Sequence, residues 1–188
     1  MVLASKRGFV IWLTGLPAAG KTTISKILVP EIGGRVERLD GDEVRTWLSP
    51  QNGFSRADRE IHLKRVAHIC HLLARNGVVV IASFVSPYKS TRDYARSVIG
   101  DFVEVYVKCS IGTCMKRDPK GLYKMASEGK ISNMTGTQDA YEEPETPEIV
   151  VETEKLTAEG AADVILKKLQ MLGLLVAEGP RMAQREDR

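Results

Sequence analysis

The feature that most constrains this chain is a glycine-rich stretch at residues 15–22, which reads GLPAAGKT. It matches the pattern G-x-x-x-x-G-K-[ST], and the pattern's required context, a buried strand before it and a helix after it, is predicted at 9–13 and 21–29. Gly15 and Gly20 allow backbone conformations in which successive N–H groups converge on a phosphate at the start of the helix. The stretch therefore predicts a nucleoside triphosphate site; the alternative is a glycine turn that binds nothing.

Single residues of this phosphate-binding loop have separate predicted roles. Lys21 is expected to reach the β- and γ-phosphates, and the hydroxyl of Thr22 is the candidate ligand for Mg²⁺. The residues expected to contact the nucleotide are Gly15, Leu16, Pro17, Ala18, Ala19, Gly20, Lys21, Thr22 and Thr23.

Length and composition suit one α/β domain. The chain has 188 residues, of which 43% are hydrophobic, and this is enough to bury a sizeable core. We expect a single domain over residues 1–175 and a charged tail at 176–188. The net charge of +3 is too small to imply a nucleic-acid partner. No apolar run approaches the roughly 18 residues that span a bilayer, so no membrane partner is expected.

Two further features bear on where the protein works. Residues 1–7 hold no apolar signal-peptide stretch, so we expect a cytoplasmic location. Cys70, Cys109 and Cys114 lack metal-ligand spacing, and their odd number argues against a disulfide framework. They are expected to be buried free thiols.

Apolar runs that alternate with helical patterns predict a parallel sheet flanked by helices. After the first strand, further strands are predicted at 35–39, 78–84, 102–109 and 148–153, and further helices at 43–48, 55–76, 90–99 and 157–172. The expected fold class is an α/β P-loop NTPase with a five-stranded parallel sheet and a mobile lid.

Two carboxylates, Asp40 and Asp42, follow the second predicted strand, with Gly41 between them. Ligands of open parallel sheets bind at the carboxyl ends of strands, so both carboxylates can face a cleft beside the phosphates. The alternative is that they only cap the next helix, and one can cap while the other reacts. The strand at 78–84 ends without the aspartate that many P-loop proteins place there, which leaves Asp40 and Asp42 as the leading carboxylates for the metal or the acceptor.

Residues 109–147 have no strand pattern but hold glycines and a basic cluster at 116–124. Such a stretch inside a domain is typical of a lid that closes over phosphates, here placed at about 116–147; the alternative is an ordinary mobile loop. Arg59, His62 and Arg65 share one face near the start of the long helix, where an anionic ligand could bind. For His62 the alternative is a surface or capping role.

Six blocks in order resemble the adenylylsulfate (APS) kinases. They read GLPAAGKTT at 15–23, LDGDEVR at 39–45, GFSRADRE at 53–60, SFVSPY at 83–88, RDPKGLYK at 117–124 and TGTQDAYEEPETPE at 135–148. Such enzymes transfer the γ-phosphate of ATP to the 3′-hydroxyl of adenosine 5′-phosphosulfate, giving 3′-phosphoadenylyl sulfate and ADP. The resemblance implies this sulfate-assimilation activity, with ATP, APS and Mg²⁺ as ligands, and a strand order of 2-3-1-4-5. Homodimers are common among such proteins.

The resemblance also implies which residues take part in the transfer. Asp42 is expected to orient the acceptor hydroxyl and take its proton, while Asp40 supports the loop or the metal. Lys21 acts on the donor phosphates. Ser86 stands where the family has a serine described as a phosphoserine intermediate; the alternative is a helix cap beside the acceptor pocket.

Other residues are implied to bind the two nucleotides. Arg45, Arg59 and Lys120 suit the anionic phosphosulfate, because guanidinium forks and an ammonium group pair well with its oxygens. Phe54 is expected to stack on the acceptor adenine, and Arg117 is expected to cover the ATP adenine or its phosphates.

Three departures from the family pattern bear on the acceptor. Pro17 and Ala18 stand where family loops read Ser-Gly, His62 replaces an asparagine, and Met134 replaces a lid phenylalanine. His62 and Met134 are still expected to contact the acceptor, whose adenine would lie between Phe54 and a thioether. The departures keep two alternatives open: a kinase for another small hydroxylated acceptor, and a non-catalytic nucleotide-binding sensor.

Overall fold

A five-stranded parallel sheet lies at the centre of the computed structural model, which describes residues 3–5 and 7–177. In chain order the elements are β1 (Leu3–Ala4), β2 (Val10–Thr14), α1 (Lys21–Glu31), β3 (Ile32–Gly33), β4 (Val36–Asp40), α2 (Gly41–Leu48), α3 (Arg56–Arg75), β5 (Val79–Ser83), α4 (Lys89–Ile99), β6 (Phe102–Lys108), α5 (Ile111–Arg117), α6 (Leu122–Ser127), β7 (Ile149–Glu152), α7 (Ala158–Met171) and β8 (Val176–Ala177). The main sheet runs β4-β5-β2-β6-β7, which confirms the predicted order and fold class.

Strand β2 is the middle of this sheet and is buried along its whole length. Its alternate residues face opposite sides, because successive side chains of a strand point to opposite faces. Ile11 and Leu13 join a core with residues of α1 and α7, whereas Val10 and Trp12 join a second core with residues of α3 and α4. The sheet is therefore covered on both faces, as an apolar parallel sheet requires.

The register of the strands brings three chain segments to one edge. Leu13 pairs with Ser83 and with Val105, and Asp40 also pairs with Ser83. The phosphate-binding loop, the end of β4 and the end of β5 consequently leave the sheet side by side. This alignment places Asp40 near the start of α1.

Local signals account for most helix boundaries. Ser55 caps α3 by accepting a hydrogen bond from the backbone N–H of Asp58 (3.2 Å), as the capping-box pattern predicts. Helix α1 was predicted to end before Pro30, yet it continues to Glu31 with Pro30 in its last turn.

Several short elements were not predicted from the sequence. Leu3–Ala4 was not predicted to be a strand, but it forms β1, between β3 and β8 in a small three-stranded sheet. Val176–Ala177, placed in the tail, forms β8, and residues 178–188 lie outside the described residues. The predicted lid contains α6.

Two composition-based expectations can be compared with the described part of the chain. Cys70, Cys109 and Cys114 are buried free thiols, as predicted. Within residues 3–5 and 7–177, no helix combines the length and the apolar character that crossing a membrane would need.

Candidate active site

A cleft of about 1150 Å³ opens at the carboxyl edge of the sheet. Its walls bring together predicted donor and acceptor residues: Pro17, Ala18, Gly20, Lys21, Thr22, Thr23, Asp40, Asp42, Phe54, Arg59, Arg117, Lys120 and Met134. Arg45, His62 and Ser86 line a smaller adjoining chamber, which shares Asp42, Phe54 and Arg59 with the cleft. Gly15, Leu16 and Ala19 belong to the loop but line neither space.

The phosphate-binding loop depends on its two glycines. A Cβ atom at Gly15 would lie 2.5 Å from the carbonyl oxygen of Val107, so the loop passes too close to β6 for any side chain there. Gly20 has a φ of 108° and precedes Lys21, the first residue of α1. The loop can therefore turn directly into α1, whose first residues line the cleft.

Lys21 is buried inside this loop. Its Nζ donates hydrogen bonds to the carbonyl oxygens of Gly15 and Leu16, each at 2.8 Å. Burial lowers the pKa of Lys21 to about 8, although the carboxylates of Asp40 and Asp42 oppose this shift. The ammonium group is thus within the loop that is predicted to surround the phosphates.

Asp40 contacts the hydroxyl that was predicted to hold the metal. The Thr22 Oγ1 donates to Asp40 Oδ2 at 2.7 Å, and Arg38 lies 3.3 Å from the same oxygen. The other oxygen, Oδ1, accepts from the N–H of Asp42 at 3.2 Å and caps α2. Asp40 therefore both caps the helix and faces the phosphate site, so capping alone does not account for it.

The oxygen donors around Thr22 are of the kind that Mg²⁺ takes. Among the described residues, no three His, Cys, Asp or Glu side chains gather into a metal-binding group. Mg²⁺ keeps several waters and takes one or two protein oxygens together with substrate phosphates. A hydroxyl with a carboxylate behind it, beside a phosphate-binding loop, is a donor set of this kind.

Asp42 lies at the open side of the cleft, where its side chain is 71% exposed. Its carboxylate forms an ion pair with Nζ of Lys120, which reaches across from the predicted lid. The hydrogen bond to Asp42 raises the pKa of Lys120. Two side chains that the sequence assigned separately to the acceptor therefore contact each other.

Two arginines flank Phe54. The guanidinium carbon of Arg45 lies 4.7 Å from the ring centroid and that of Arg59 lies 5.4 Å from it. Arg59 also donates to the carbonyl oxygen of Asn133 at 2.8 Å, which fastens the lid to α3. Phe54 is 53% exposed, so much of its ring is available for a base to stack on.

Ser86 is buried and its backbone is in the left-handed region, with a φ of 37°. The indole Nε1–H of Trp12 donates to its Oγ at 3.0 Å, and Arg92 donates to its carbonyl oxygen at 2.8 Å. Helix α4 is capped by Tyr88, without a side-chain bond, so the expectation that Ser86 caps a helix is wrong.

Arg117 lines the cleft and is bonded to Thr153. Its guanidinium donates to the carbonyl oxygen of Thr153 at 2.6 Å and to Thr153 Oγ1 at 3.1 Å. The Thr153 hydroxyl in turn donates to the carbonyl oxygen of Ala19 at 2.9 Å. The sequence did not predict Thr153 as a cleft residue. Thr153 directly follows β7, and nothing in the strand pattern there indicates a residue of the cleft.

His62 and Met134, the two departures from the family pattern that are expected to contact the acceptor, are both buried. His62 is 2% exposed, so the alternative of a surface histidine is wrong. Met134 is 5% exposed and belongs to the core, together with Tyr123 of α6. The hydroxyl of Tyr123 donates to the carbonyl oxygen of Pro17 at 3.0 Å, a contact between lid and phosphate loop that no sequence signal indicated.

Comparison with known proteins agrees with this geometry. A protein of Aeropyrum pernix named probable adenylyl-sulfate kinase is 52% identical over 161 residues, covering 82% of this chain and 88% of that protein. The adenylyl-sulfate kinase of Rippkaea orientalis is 47% identical over 173 residues, covering 90% and 96%. The structure of the Mycobacterium tuberculosis APS kinase in complex with AMPPNP and APS is 34% identical, with a TM-score of 0.82, and covers 87% of this chain and 98% of that one.

The family model described as adenylylsulphate kinase matches residues 7–152, which is more than half of the chain. The match includes the phosphate loop, both aspartates, the arginines beside Phe54 and the lid. The chain therefore belongs to the adenylylsulphate kinase family.

Proposed function

We propose that this protein transfers the γ-phosphoryl group of ATP to the 3′-hydroxyl of adenosine 5′-phosphosulfate, which yields 3′-phosphoadenylyl sulfate and ADP. One observation carries this proposal beyond family membership. A single cleft is lined both by a phosphate loop with Lys21 and Thr22, and by Asp42, Phe54 and Arg59. A donor triphosphate and an anionic acceptor nucleotide can thus meet across it.

On the donor side, the loop N–H groups and Lys21 would bind the β- and γ-phosphates. Lys21 would exchange its two carbonyl partners for phosphate oxygens, which attract an ammonium group more strongly. The Thr22 hydroxyl would be a ligand of the metal, and Asp40 would hold that hydroxyl in place. When bound there, Mg²⁺ neutralises charge on the transferred phosphoryl group. Arg117 and Thr153 would border the adenine end of ATP.

On the acceptor side, Asp42 would accept a hydrogen bond from the 3′-hydroxyl and take its proton as the new P–O bond forms. Its carboxylate is paired with Lys120 before the acceptor arrives. The phosphosulfate is the natural competitor for that ammonium group, since it is anionic. Binding of the acceptor would then release Asp42 at the moment when a base is needed.

The acceptor nucleotide itself would be held at both ends. Arg45 and Arg59 would pair with the phosphosulfate, and the exposed ring of Phe54 would stack on the adenine. Met134 would border the adenine with a thioether, while His62 lines the adjoining chamber.

Ser86 remains the candidate for a phosphoserine. Its Oγ is buried and already accepts a hydrogen bond, and phosphoryl transfer through a loose transition state needs little covalent help from the protein. Intact mass spectrometry after incubation with ATP alone would reveal a phosphoryl adduct, and Ser86→Ala would remove it.

The remaining expectations belong to the same proposal. We infer one kinase domain over 1–175 with a lid at about 116–147, a homodimeric assembly to be measured by light scattering, and a cytoplasmic location. The three free thiols are typical of a protein in a reducing compartment such as the cytoplasm. ATP is the proposed donor substrate.

The central test is ADP formation with and without APS in a coupled assay. We expect ADP formation to depend on APS and Asp42→Asn to lower kcat by about 10²- to 10⁴-fold, because the hydroxyl loses its base. Asp163→Asn is the matched control, because Asp163 is an exposed carboxylate of α7, away from the cleft.

The possible outcomes separate the competing functions. ADP formation that APS does not stimulate would refute the kinase proposed here. If other hydroxylated acceptors give a higher kcat/KM than APS, the substitutions at His62 and Met134 have changed the acceptor. Wild-type protein that binds ATP and APS but forms no ADP would favour a sensor that does not turn over its nucleotides, and Asp42→Asn would then leave its function unchanged.

A further inference from the structure

A small chamber of about 80 Å³ adjoins the main cleft on the acceptor side. Two guanidinium groups, those of Arg45 and Arg59, line it together with His62 and Ser86. Asp42 lies at its border with the cleft. The chamber is therefore rich in groups that donate hydrogen bonds to an anion, and it is placed beside the proposed base.

His62 is the unusual member of this set. It is almost completely buried, and its Nδ1 lies 3.0 Å from the hydroxyl oxygen of Ser49, the residue that ends α2. Its other ring nitrogen, Nε2, is also buried and has no hydrogen-bond partner among the described residues. A buried polar atom without a partner is costly, so a ligand that pairs with it is favoured.

The neighbours of Ser49 decide which ring nitrogen carries the proton. Arg65 donates to Ser49 Oγ at 3.2 Å, and a guanidinium group can only donate. Ser49 is buried, and within the described residues its hydroxyl contacts only Arg65 and His62. The hydroxyl hydrogen is satisfied only by pointing at Nδ1 of His62. Nδ1 is then the acceptor, and the proton of the neutral ring resides on Nε2.

We infer that Arg65 and Ser49 form a relay that holds His62 as the Nε2–H tautomer, and that this N–H, with Arg45 and Arg59, binds an oxygen of the acceptor's phosphosulfate. The inference rests on the proposed function for the identity of the acceptor. His62 is on this account a specificity residue, whereas Ser49 and Arg65 are positioning residues that act through it.

The electrostatics of the site agree with a neutral donor. Burial, together with the charges of Arg45 and Arg65, lowers the pKa of His62 to about 4. The ring therefore offers an N–H without adding a third positive charge beside two guanidinium groups. An acceptor with no oxygen at this place would leave the N–H unpaired and would be rejected for that reason.

The test combines acceptor kinetics with a direct measurement of the tautomer. We expect His62→Leu, which has no donor, to raise KM for APS about 10- to 100-fold while KM for ATP stays within about twofold. His62→Gln should recover part of this loss, because its amide restores an N–H. Ser49→Ala should raise KM for APS by about 3- to 10-fold, because the ring is then free to change tautomer.

Matched controls lie on an exposed surface. Among the described residues, the ring of His68 hydrogen-bonds only to the hydroxyl of Tyr94, and Ser97 donates to the carbonyl oxygen of Tyr94. His68→Leu and Ser97→Ala should leave both KM values unchanged. Thermal melting of every variant shows whether it is folded before its kinetics are compared.

The proton position is read from ¹⁵N NMR of the imidazole rings in the otherwise unchanged protein. The signal of His62, identified by its absence in His62→Gln, should show a protonated Nε2 and an unprotonated Nδ1. Addition of APS without ATP should shift Nε2. In Ser49→Ala the Nε2–H pattern should weaken.

Each outcome bears on a separate claim. If the wild-type protein does not phosphorylate APS, the proposed function fails. If it does, but His62→Leu keeps the wild-type KM for APS, the inference alone fails. A proton on Nδ1 in the wild-type protein would overturn the relay; this measurement is made on the unaltered protein, and His62→Gln serves only to assign the signal.

Discussion

At the scale of single residues, Lys21 is held by two carbonyl oxygens and has a pKa near 8 because it is buried. It is charged below this pH and neutral above it. A neutral amine cannot pair with phosphates, so we expect the affinity for ATP to fall by about tenfold per pH unit above pH 8. Calorimetric titration with a non-hydrolysable ATP analogue from pH 7 to about 9.5 measures this; a constant Kd over that range would contradict it.

Protonation of His62 makes the unfolding free energy of the protein depend on pH. Its pKa is lowered from 6.5 in the unfolded chain to about 4 in the folded protein, so the unfolded state binds the proton more readily. The stability contributed by the neutral ring is complete above pH 6.5 and is lost as the pH falls toward 4. We expect the unfolding free energy of the wild type to fall by about 2 kcal/mol more than that of His62→Gln, after allowance for solvent screening.

Urea denaturation of both proteins at pH 7 and at pH 4.5 gives this difference directly. Because the two proteins share every other titrating group, the difference isolates the ring of His62. Parallel loss of stability in the two would mean that the imidazole titrates in the folded state as it does in the unfolded one.

The sequence predicted single residues well where a local motif determines the backbone. The phosphate loop and the Thr22–Asp40 neighbourhood follow from a strand–loop–helix pattern and from parallel strands that end at one edge. The pairing of Asp42 with Lys120 could not be predicted, because the two are 78 positions apart. The spacing of Arg59 and His62 put them on one helix face but did not reveal that this face turns inward.

At the scale of elements, the end of α3 lies very close to Gly8, two residues before β2. A Cβ atom on Gly8 would lie 2.0 Å from the carbonyl oxygen of Ala74 and 2.7 Å from that of Val78. Backbone atoms cannot move aside cheaply, so we expect Gly8→Ala to lower the unfolding free energy by about 3 kcal/mol. Urea denaturation followed by far-UV circular dichroism measures this loss.

Gly112→Ala is the control for that substitution. Gly112 lies in α5 and a Cβ atom there would meet open space. Alanine favours a helix over glycine, so this variant should be unchanged or more stable by up to about 1 kcal/mol. Equal stability of the two variants would mean that α3 can shift away from β2.

Element prediction succeeded where the apolar pattern was long. The buried runs of β2 and β5, and the twenty residues of α3, have enough periodicity to be recognised. The two-residue strands β1, β3 and β8 could not be predicted, since such short pairs depend on where distant segments come together. Helix α6 could not be predicted either, because its six residues are too few to show a helical pattern.

At the scale of the whole molecule, the segment at about 116–147 connects all parts of the site. It touches the phosphate loop through Tyr123, α2 through Lys120 and α3 through the carbonyl oxygen of Asn133. A triphosphate and an acceptor that fill the cleft together would contact the same segment from two sides. We therefore expect the substrates to restrict its motion.

Limited trypsin digestion tests this expectation. Lys124 and Lys130 are exposed within the segment, whereas Lys168 is an exposed lysine of α7 far along the chain. We expect an ATP analogue with APS to slow cleavage after Lys124 and Lys130 by about tenfold, and to leave Lys168 unchanged, because cleavage requires local opening. Equal rates with and without ligands would indicate a segment already rigid in the free protein.

Trp12 lies in the middle of the sheet and donates its indole N–H to Ser86, beside the acceptor chamber. The chain has one other tryptophan, Trp47, which is exposed. A Trp47→Phe variant would keep Trp12 as the sole tryptophan, and we expect its emission to change when a ligand disturbs the bond to the Ser86 oxygen. Such a variant would let acceptor arrival and departure be timed without an attached dye.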